Sequence, residues 1–254
     1  MRTKSIPMWR IGATLALTGA LASCGEISAP AGISDPAEAQ NRDFHEFNVA
    51  LDRNLLRPVA IGVNQAAPPE LLQGVSNFAD NLDMPKSVLN DVLQLKLDKA
   101  AENTLRFVIN TTVGVGGLFD PATALGIAGD ETDFGETLHV WGVPEGNYAE
   151  LPFVGPTTDR DLLGTLVDFA LNPLRLVVPK EYAMVPSMAQ LAARTGDRGR
   201  YSETYDSVLY DSADGYAQTR LLYLQNRRFE LGMTSEEEAY ADPYADPYED
   251  PYAQ

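Results

Sequence analysis

The sequence predicts an all-α fold. Apolar residues recur at helical spacing through most of residues 35–232, Pro and acidic residues gather where those runs begin, and no segment alternates convincingly as a half-buried strand does. The first helix is expected to open with Asp35 as its cap, Pro36 in its first position and Glu38 in its third, and Phe44, Phe47, Leu51 and Leu55 then share a face. Pro58 is expected to end it, because Pro lacks the N–H that a helix interior needs. A second helix opens near Pro69-Glu70, with Leu71, Val75, Phe78 and Leu82 on one side. The third is expected to begin near Pro85 and to be the longest. Its apolar stripe (Leu89, Val92, Leu93, Leu97, Ala101, Leu105, Val108) lies opposite Lys96, Asp98, Lys99 and Glu102. Later helices are expected from Asp120, Asp133, Thr158, about Ser187 and about Ala213.

Two stretches depart from ordinary globular patterning. Val113 to Ile127 is Gly-rich and apolar with only Asp120 charged, and Leu162 to Val178 has Asp168 and Arg175 as its sole charges. In a soluble protein both would be buried core; in a chain tied to a bilayer they could lie in lipid. Gly164, Pro173 and Pro179 are expected to cut them into pieces shorter than a spanning helix, able to enter one leaflet but not to cross two.

The ends of the chain carry an address. Arg2, Lys4 and Arg10 precede a short apolar run from Ile11 to Ala20, and Leu21-Ala22-Ser23-Cys24 follows, the three-part layout of a secretory signal. The last four residues resemble the bacterial lipobox, which makes Cys24 the expected lipidation site; the alternative is an ordinary signal peptide cut nearby. Cys24 is the single Cys, so no intramolecular disulfide can form. One acyl chain binds a membrane only marginally, whereas the three of a mature bacterial lipoprotein hold it permanently. Gly25 stands where Asp would favour inner-membrane retention, by similarity to enterobacterial sorting, so the outer membrane is expected. The expected divisions are a signal peptide at 1–23, a lipidated linker at 24–34, a helical domain at 35–232 and a disordered acidic tail at 233–254. In that tail Asp-Pro-Tyr recurs from Asp242, Asp246 and Asp250. The tail is read as solvated, or as a set of tyrosine contacts for a periplasmic partner.

Charge and motif inventory narrow the chemistry. The leader holds three basic and no acidic residues, so its removal takes the formal charge from −17 to −20, which argues against a nucleic-acid or polybasic membrane patch. His45 and His139 are the only histidines, and neither is followed by a second metal ligand three or four residues on; each reads as structural or solvated, His45 on the polar side of its helix. No Gly-x-Ser-x-Gly elbow occurs, and Gly114-Val115-Gly116-Gly117 lacks the Gly-Lys-Ser/Thr ending of a phosphate loop. No catalytic residue, metal or cofactor is expected.

The positive signal is an ordered series of short motifs. It opens with Asp35-Pro36, Glu38, Asn41-Arg42, Phe44, Phe47-Asn48, Leu51-Asp52 and Arg57-Pro58-Val59-Ala60. Gly74-Val75-Ser76-Asn77-Phe78, Asn81-Leu82, Pro85, Arg106-Phe107, Asn110-Thr111, Gly114, Gly116, Gly117 and Phe119-Asp120 follow. Asp133-Phe134-Gly135, Thr137-Leu138, Gly142-Val143, Gly146, Tyr148, Leu151-Pro152, Gly155, Arg160-Asp161, and finally Asp214, Tyr216, Arg220, Tyr223 and Gln225 complete it. In order, over about Asp35 to Gly232, these resemble the MlaA (VacJ) family of outer-membrane lipoproteins, from which Gly215, Asn147 and Leu95 depart where Pro, Pro and Gly are usual.

The resemblance implies a ring-like bundle of amphipathic helices embedded in the periplasmic leaflet of the outer membrane. Misplaced phospholipids would pass through its channel to a periplasmic carrier linked to an inner-membrane transporter, and association with a trimeric porin is implied as well. Gly114, Gly116, Gly117, Phe119, Asp133, Phe134 and Gly135 are the candidate lipid path, combining close backbone packing with few charges; helix packing alone is the competing reading. A structural adapter that binds porins or periplasmic proteins without moving lipid is the alternative function, and a lipid hydrolase lacks its nucleophile motif.

Overall fold

The computed structural model describes residues 32–174 and 178–233. Helix α1 (Glu38–Leu51) starts two residues later than expected, and Asp35 does not cap it. The Asp35 carboxylate instead accepts from Asn41 Nδ2 at 2.8 Å, from the Tyr216 hydroxyl and from Arg220, tying the chain's entry to its last helix. Burial alone would push this carboxyl up, but those three donors hold it below the usual carboxylate range.

Pro58 does not end the first helical run. The backbone widens into a π turn (Asp52–Leu56), in which Arg57 N–H reaches Asp52 O, and resumes as α2 (Arg57–Ala66) with Pro58 in its first turn. The wider turn makes room for the ring that an unbroken α-helix would not accept. Helix α3 (Pro69–Leu93) starts at the expected Pro but runs straight through Pro85, and α4 (Leu97–Thr112) follows a tight turn. The expected third helix is therefore two. Leu95 occupies that turn at φ 61°, which explains why a Gly is usual at a residue the left-handed region disfavours.

The remaining helices begin close to expectation, except the one from Ser202, which the sequence reading did not anticipate. They are α5 (Pro121–Ala124), α6 (Phe134–Val140), α7 (Asp159–Leu171), α8 (Val185–Arg200), α9 (Ser202–Leu209) and α10 (Gly215–Glu230). Asp120, Asp133, Thr158 and Asp214 each accept the backbone N–H three residues on; the first three are the expected starts, and Asp214 stands one residue past the expected Ala213. The expectation of no strand is corrected by a hairpin: β1 (Tyr148–Leu151) pairs antiparallel with β2 (Gly155–Thr158), Tyr148 opposite Thr158 and Leu151 opposite Gly155. Its inward positions include Glu150, so the alternation is not one of hydrophobicity. Gly164 does not interrupt α7. It lets α7 touch α6, since a Cβ there would meet Gly135 N at 2.3 Å.

Burial around α3 and α4 is the reverse of the expected stripe. Val92, Leu97, Leu105 and Val108 are exposed, while Asn90, Asp91, Gln94, Asn103, Arg106 and Asn110 are buried. Among the described residues the largest fully buried side chains are all polar: Asn90, Asn103, Thr137, Thr158, Asp91 and Ser87. They bond one another, Asn103 Nδ2 donating to Asp91 Oδ2 (2.8 Å) and to Asp130 O (2.8 Å), Thr137 Oγ1 to Asn90 Oδ1 (2.9 Å), and Asn90 Nδ2 to Asp168 Oδ1 (2.9 Å). Hydrogen bonds of this kind gain strength from a low-dielectric surrounding. The two Gly-rich and apolar stretches likewise leave Val113, Val115, Phe119, Leu125, Leu166 and Phe169 exposed, which overturns their reading as buried core. No described helix is long and apolar enough to cross a membrane.

Candidate functional site: an amphipathic cavity between three helices

Pro186 sets the start of α8, and Pro186, Ser187, Gln190, Leu191 and Arg194 then recur on one side of it at helical spacing. Thr165 and Phe169 do the same on α7, whose first turn Thr158 caps. With Asp83 of α3 and Asn172, Leu174, Val178 and Ala183 of the connecting segment, they line a half-open cavity of about 390 Å³. The wall is divided in kind: Asp83, Thr165, Asn172, Ser187, Gln190 and Arg194 are polar, while Phe169, Leu174, Val178 and Leu191 are not.

The charges in that wall have different partners. Asp83 accepts from Lys86 Nζ at 3.1 Å. Burial pushes the Lys86 ammonium down, but the Asp83, Asp168 and Asp133 carboxylates outweigh it and hold it up, so it stays charged. Arg194 is exposed and forms no ion pair among the described residues. Gln190 Nε2 is turned away to donate to Ala79 O at 3.2 Å. A space with an available guanidinium, a carboxylate and an apolar flank suits an amphipath with a charged head.

A second polar centre lies across α3. Arg106 of α4 donates to Asp120 Oδ2 (3.0 Å), Thr123 Oγ1 (3.0 Å) and Ile127 O (2.5 Å), and Asn110 Nδ2 to Asp120 Oδ1 (2.9 Å). Burial would raise the Asp120 pKa, but the bonds from Thr123, Asn110 and Arg106 bring it down to about 2.

The candidate path residues fall in two places, and none lines the 390 Å³ cavity. At Gly114 a Cβ would strike Phe119 O at 2.3 Å, and at Gly117 (φ +95°) it would strike Asn81 Cβ at 2.5 Å, so both permit close approach. Gly116 (φ +75°) faces open space, and Phe119 is 64% exposed. Asp133 caps α6 and accepts from Arg227 at 2.7 Å. Phe134 gives its N–H to Asp168 (2.9 Å) and packs edge-on against Trp141, and Gly135 lies against Gly164. Cys24 lies outside the described residues, as does the acidic tail.

His45 is buried, not on a polar face. Its Nδ1 lies 3.1 Å from Glu150 and its ring edge meets Tyr216, a structural histidine that docks the hairpin on α1. His139 has its pKa lowered, by burial first and then by Arg160. Among the described residues no group of three His, Cys, Asp or Glu side chains could hold a metal ion. Sequence reasoning missed Asp83, Gln190 and Arg194. The signal available for α8 was Pro186 followed by polar residues at 187, 190 and 194, which reads like any solvated face.

The family model described as MlaA lipoprotein matches residues 33–230. A protein of Haemophilus influenzae is 34% identical over 236 residues (91% of this chain, 92% of that one), and one of Escherichia coli K12 is 33% identical over 208 residues (78% of each). Both are named intermembrane phospholipid transport system lipoprotein MlaA. An uncharacterized protein of Rickettsia bellii is 37% identical over 196 residues, 77% of this chain and 76% of that one. A solved structure from work on the structural basis for maintenance of bacterial outer membrane lipid asymmetry superposes with a TM-score of 0.67. It is 30% identical and covers 78% of this chain and 99% of its own. The chain belongs to the MlaA lipoprotein family.

Proposed function

We propose that this lipoprotein withdraws misplaced phospholipids from the outer leaflet of the outer membrane and delivers them to a periplasmic carrier, maintaining lipid asymmetry. It is a transport component and not an enzyme. The observation that carries the reading is the reversal of burial along α3 and α4, apolar side chains outward and hydrogen-bonded polar ones inward, together with an amphipathic cavity between α3, α7 and α8. In lipid an apolar exterior costs nothing, and a charged head needs a polar route. The helices form a ring-like bundle in the periplasmic leaflet, and Arg194 meets the phosphodiester while Phe169, Leu174 and Leu191 follow the acyl chains.

Gly114, Gly116, Gly117, Phe119, Asp133, Phe134 and Gly135 frame this route, the glycines by letting the surrounding helices close on one another. After removal of residues 1–23, Cys24 carries the lipid anchor, residues 24–34 link it to the helical domain of 35–232, and 233–254 form an acidic tail. A trimeric porin holds the protein in its bilayer, and the carrier feeds an inner-membrane transporter.

Deleting the gene and measuring surface-exposed phospholipid tests the reading. Exposure is expected to rise and to be restored by the wild-type chain, but not by Arg194→Glu or Cys24→Ala. Unchanged exposure on deletion would leave an adapter that binds porins without moving lipid.

A further inference from the structure

Asp80 lies one helical turn before Asp83 on α3, beside a separate cavity of about 30 Å³. Asp80, Asn81, Met84, Arg106, Asn110 and Asp120 contribute to its wall. Most polar atoms there are already engaged. Asp120 takes bonds from Arg106, Asn110 and Thr123, so the one cation in the wall is neutralised. Asn110 Oδ1 accepts from Ala122 N at 3.1 Å.

Two acceptors are left over, along with one donor, Arg106 Nε. The Asp80 carboxylate, half-buried, makes no hydrogen bond or ion pair among the described residues. Asn81, 3% exposed, spends Nδ2 on Thr111 Oγ1 (3.0 Å) and leaves Oδ1 buried without a partner. A carboxylate and an amide oxygen free in one small cavity call for a donor that is also a cation. Burial, followed by the Glu131, Asp83, Asp197 and Asp120 carboxylates, pushes the Asp80 pKa up to about 6, so its charged form is disfavoured as the site stands. The space holds about one water-sized group. A primary ammonium fits it and brings three donors, whereas a trimethylammonium is larger and brings none.

We propose that Asp80 and Asn81 form a recognition site for a primary ammonium group, such as the head of an ethanolamine phospholipid drawn into the neighbouring cavity. This rests on the transport reading above.

The test uses the full-length lipoprotein in nanodiscs of equal phosphatidylethanolamine and phosphatidylglycerol, with captured lipid counted by mass spectrometry after extraction in mild detergent. Wild type is expected to capture the ethanolamine lipid about tenfold over the glycerol lipid, the scale of one charged hydrogen bond. Asp80→Asn, which keeps shape and removes charge, is expected to bring the ratio close to one, and Asp80→Glu to restore part of it. Thermal unfolding of each variant separates this from misfolding. A second arm adds free ethanolamine and follows it by saturation-transfer NMR. Binding to wild type but not to Asp80→Asn, with an unaltered lipid ratio, would keep the ammonium site and assign it a soluble amine. Equal ratios in wild type and Asp80→Asn with no ethanolamine binding would overturn the site and leave a water there. A wild-type chain that captures no phospholipid at all would overturn the transport reading together with it.

Discussion

The junction of α3, α4 and α6 and the junction of α1, the hairpin and α10 hold together by different forces. The second has a hydrophobic centre of Tyr148, Tyr216 and Leu224, with Tyr148 and Tyr216 ring centroids 6.0 Å apart, flanked by the Arg42–Asp214, Arg220–Asp35 and Arg228–Glu145 ion pairs. Rings and hydrocarbon pack at its centre as in a protein folding in water, although the His45–Glu150 pair and the Asp35 carboxylate are buried beside them. The first places Asn90, Asp91, Asn103 and Thr137 inside and Val92, Leu97 and Leu105 outside. Where the exterior is itself apolar, burial of hydrocarbon gives little reason for helices to meet, and directional hydrogen bonds and close backbone contacts supply it.

The largest effect should come from breaking the inverted junction from within. Asn103→Leu adds apolar surface to a buried position, which would be harmless or helpful in an ordinary core. Here it strands the Asp91 carboxylate together with Asp130 N and O, and a loss of about 3–5 kcal/mol is expected in denaturant unfolding of the detergent-solubilised chain. A loss below about 1 kcal/mol would show that the network contributes little to cohesion.

Charge left unmatched in the polar interior gives the next prediction. Burial and the surrounding carboxylates push Asp80 up to about 6 in the folded chain, above its ordinary 3.8, so the folded state binds its proton more tightly than the unfolded state does. Stability from this group is therefore present below about pH 4 and lost as pH rises through about 6. Asp80→Asn should remove that slope and stabilise the chain at pH 7 by about 1–3 kcal/mol, read as the difference between wild-type and variant unfolding curves from pH 4 to 7. Parallel curves would sink it.

A smaller effect is expected at the α3–α4 turn. Leu95 stands at φ 61° with its side chain 83% exposed, so Leu95→Gly relieves strain and loses no packing. A gain of about 1 kcal/mol in detergent is expected, accompanied by weaker association with vesicles. A loss of stability would mean that Leu95 is held by contacts within the fold.

These two junctions also set what was legible beforehand. Helix starts were readable because capping is local: Asp133, Thr158 and Asp214 each bond a backbone N–H three residues away. Pro58 and Pro85 misled because tertiary packing and a π turn carry the backbone past them. The hairpin was hidden because one of its inward residues is Glu150, matched to His45 from over a hundred residues away. The apolar stripe on α3 and α4 was located correctly but assigned to the wrong side, since periodicity names a face and not the solvent it meets. The cavity between α7 and α8 was invisible because Asp83 and Arg194 come together only through the packing of α8 on α3.

The central claim is that the apolar exterior of the inverted junction sits in lipid. Trp141 reports on it directly: it is 54% exposed, bonded to Leu93 O through Nε1, and the one Trp in a chain that begins at Cys24. With that lipoprotein in vesicles, bromine placed on the acyl chains should quench most of the Trp141 emission while aqueous iodide leaves it nearly untouched. Strong quenching by iodide with none from brominated chains would place this face in water and contradict the account.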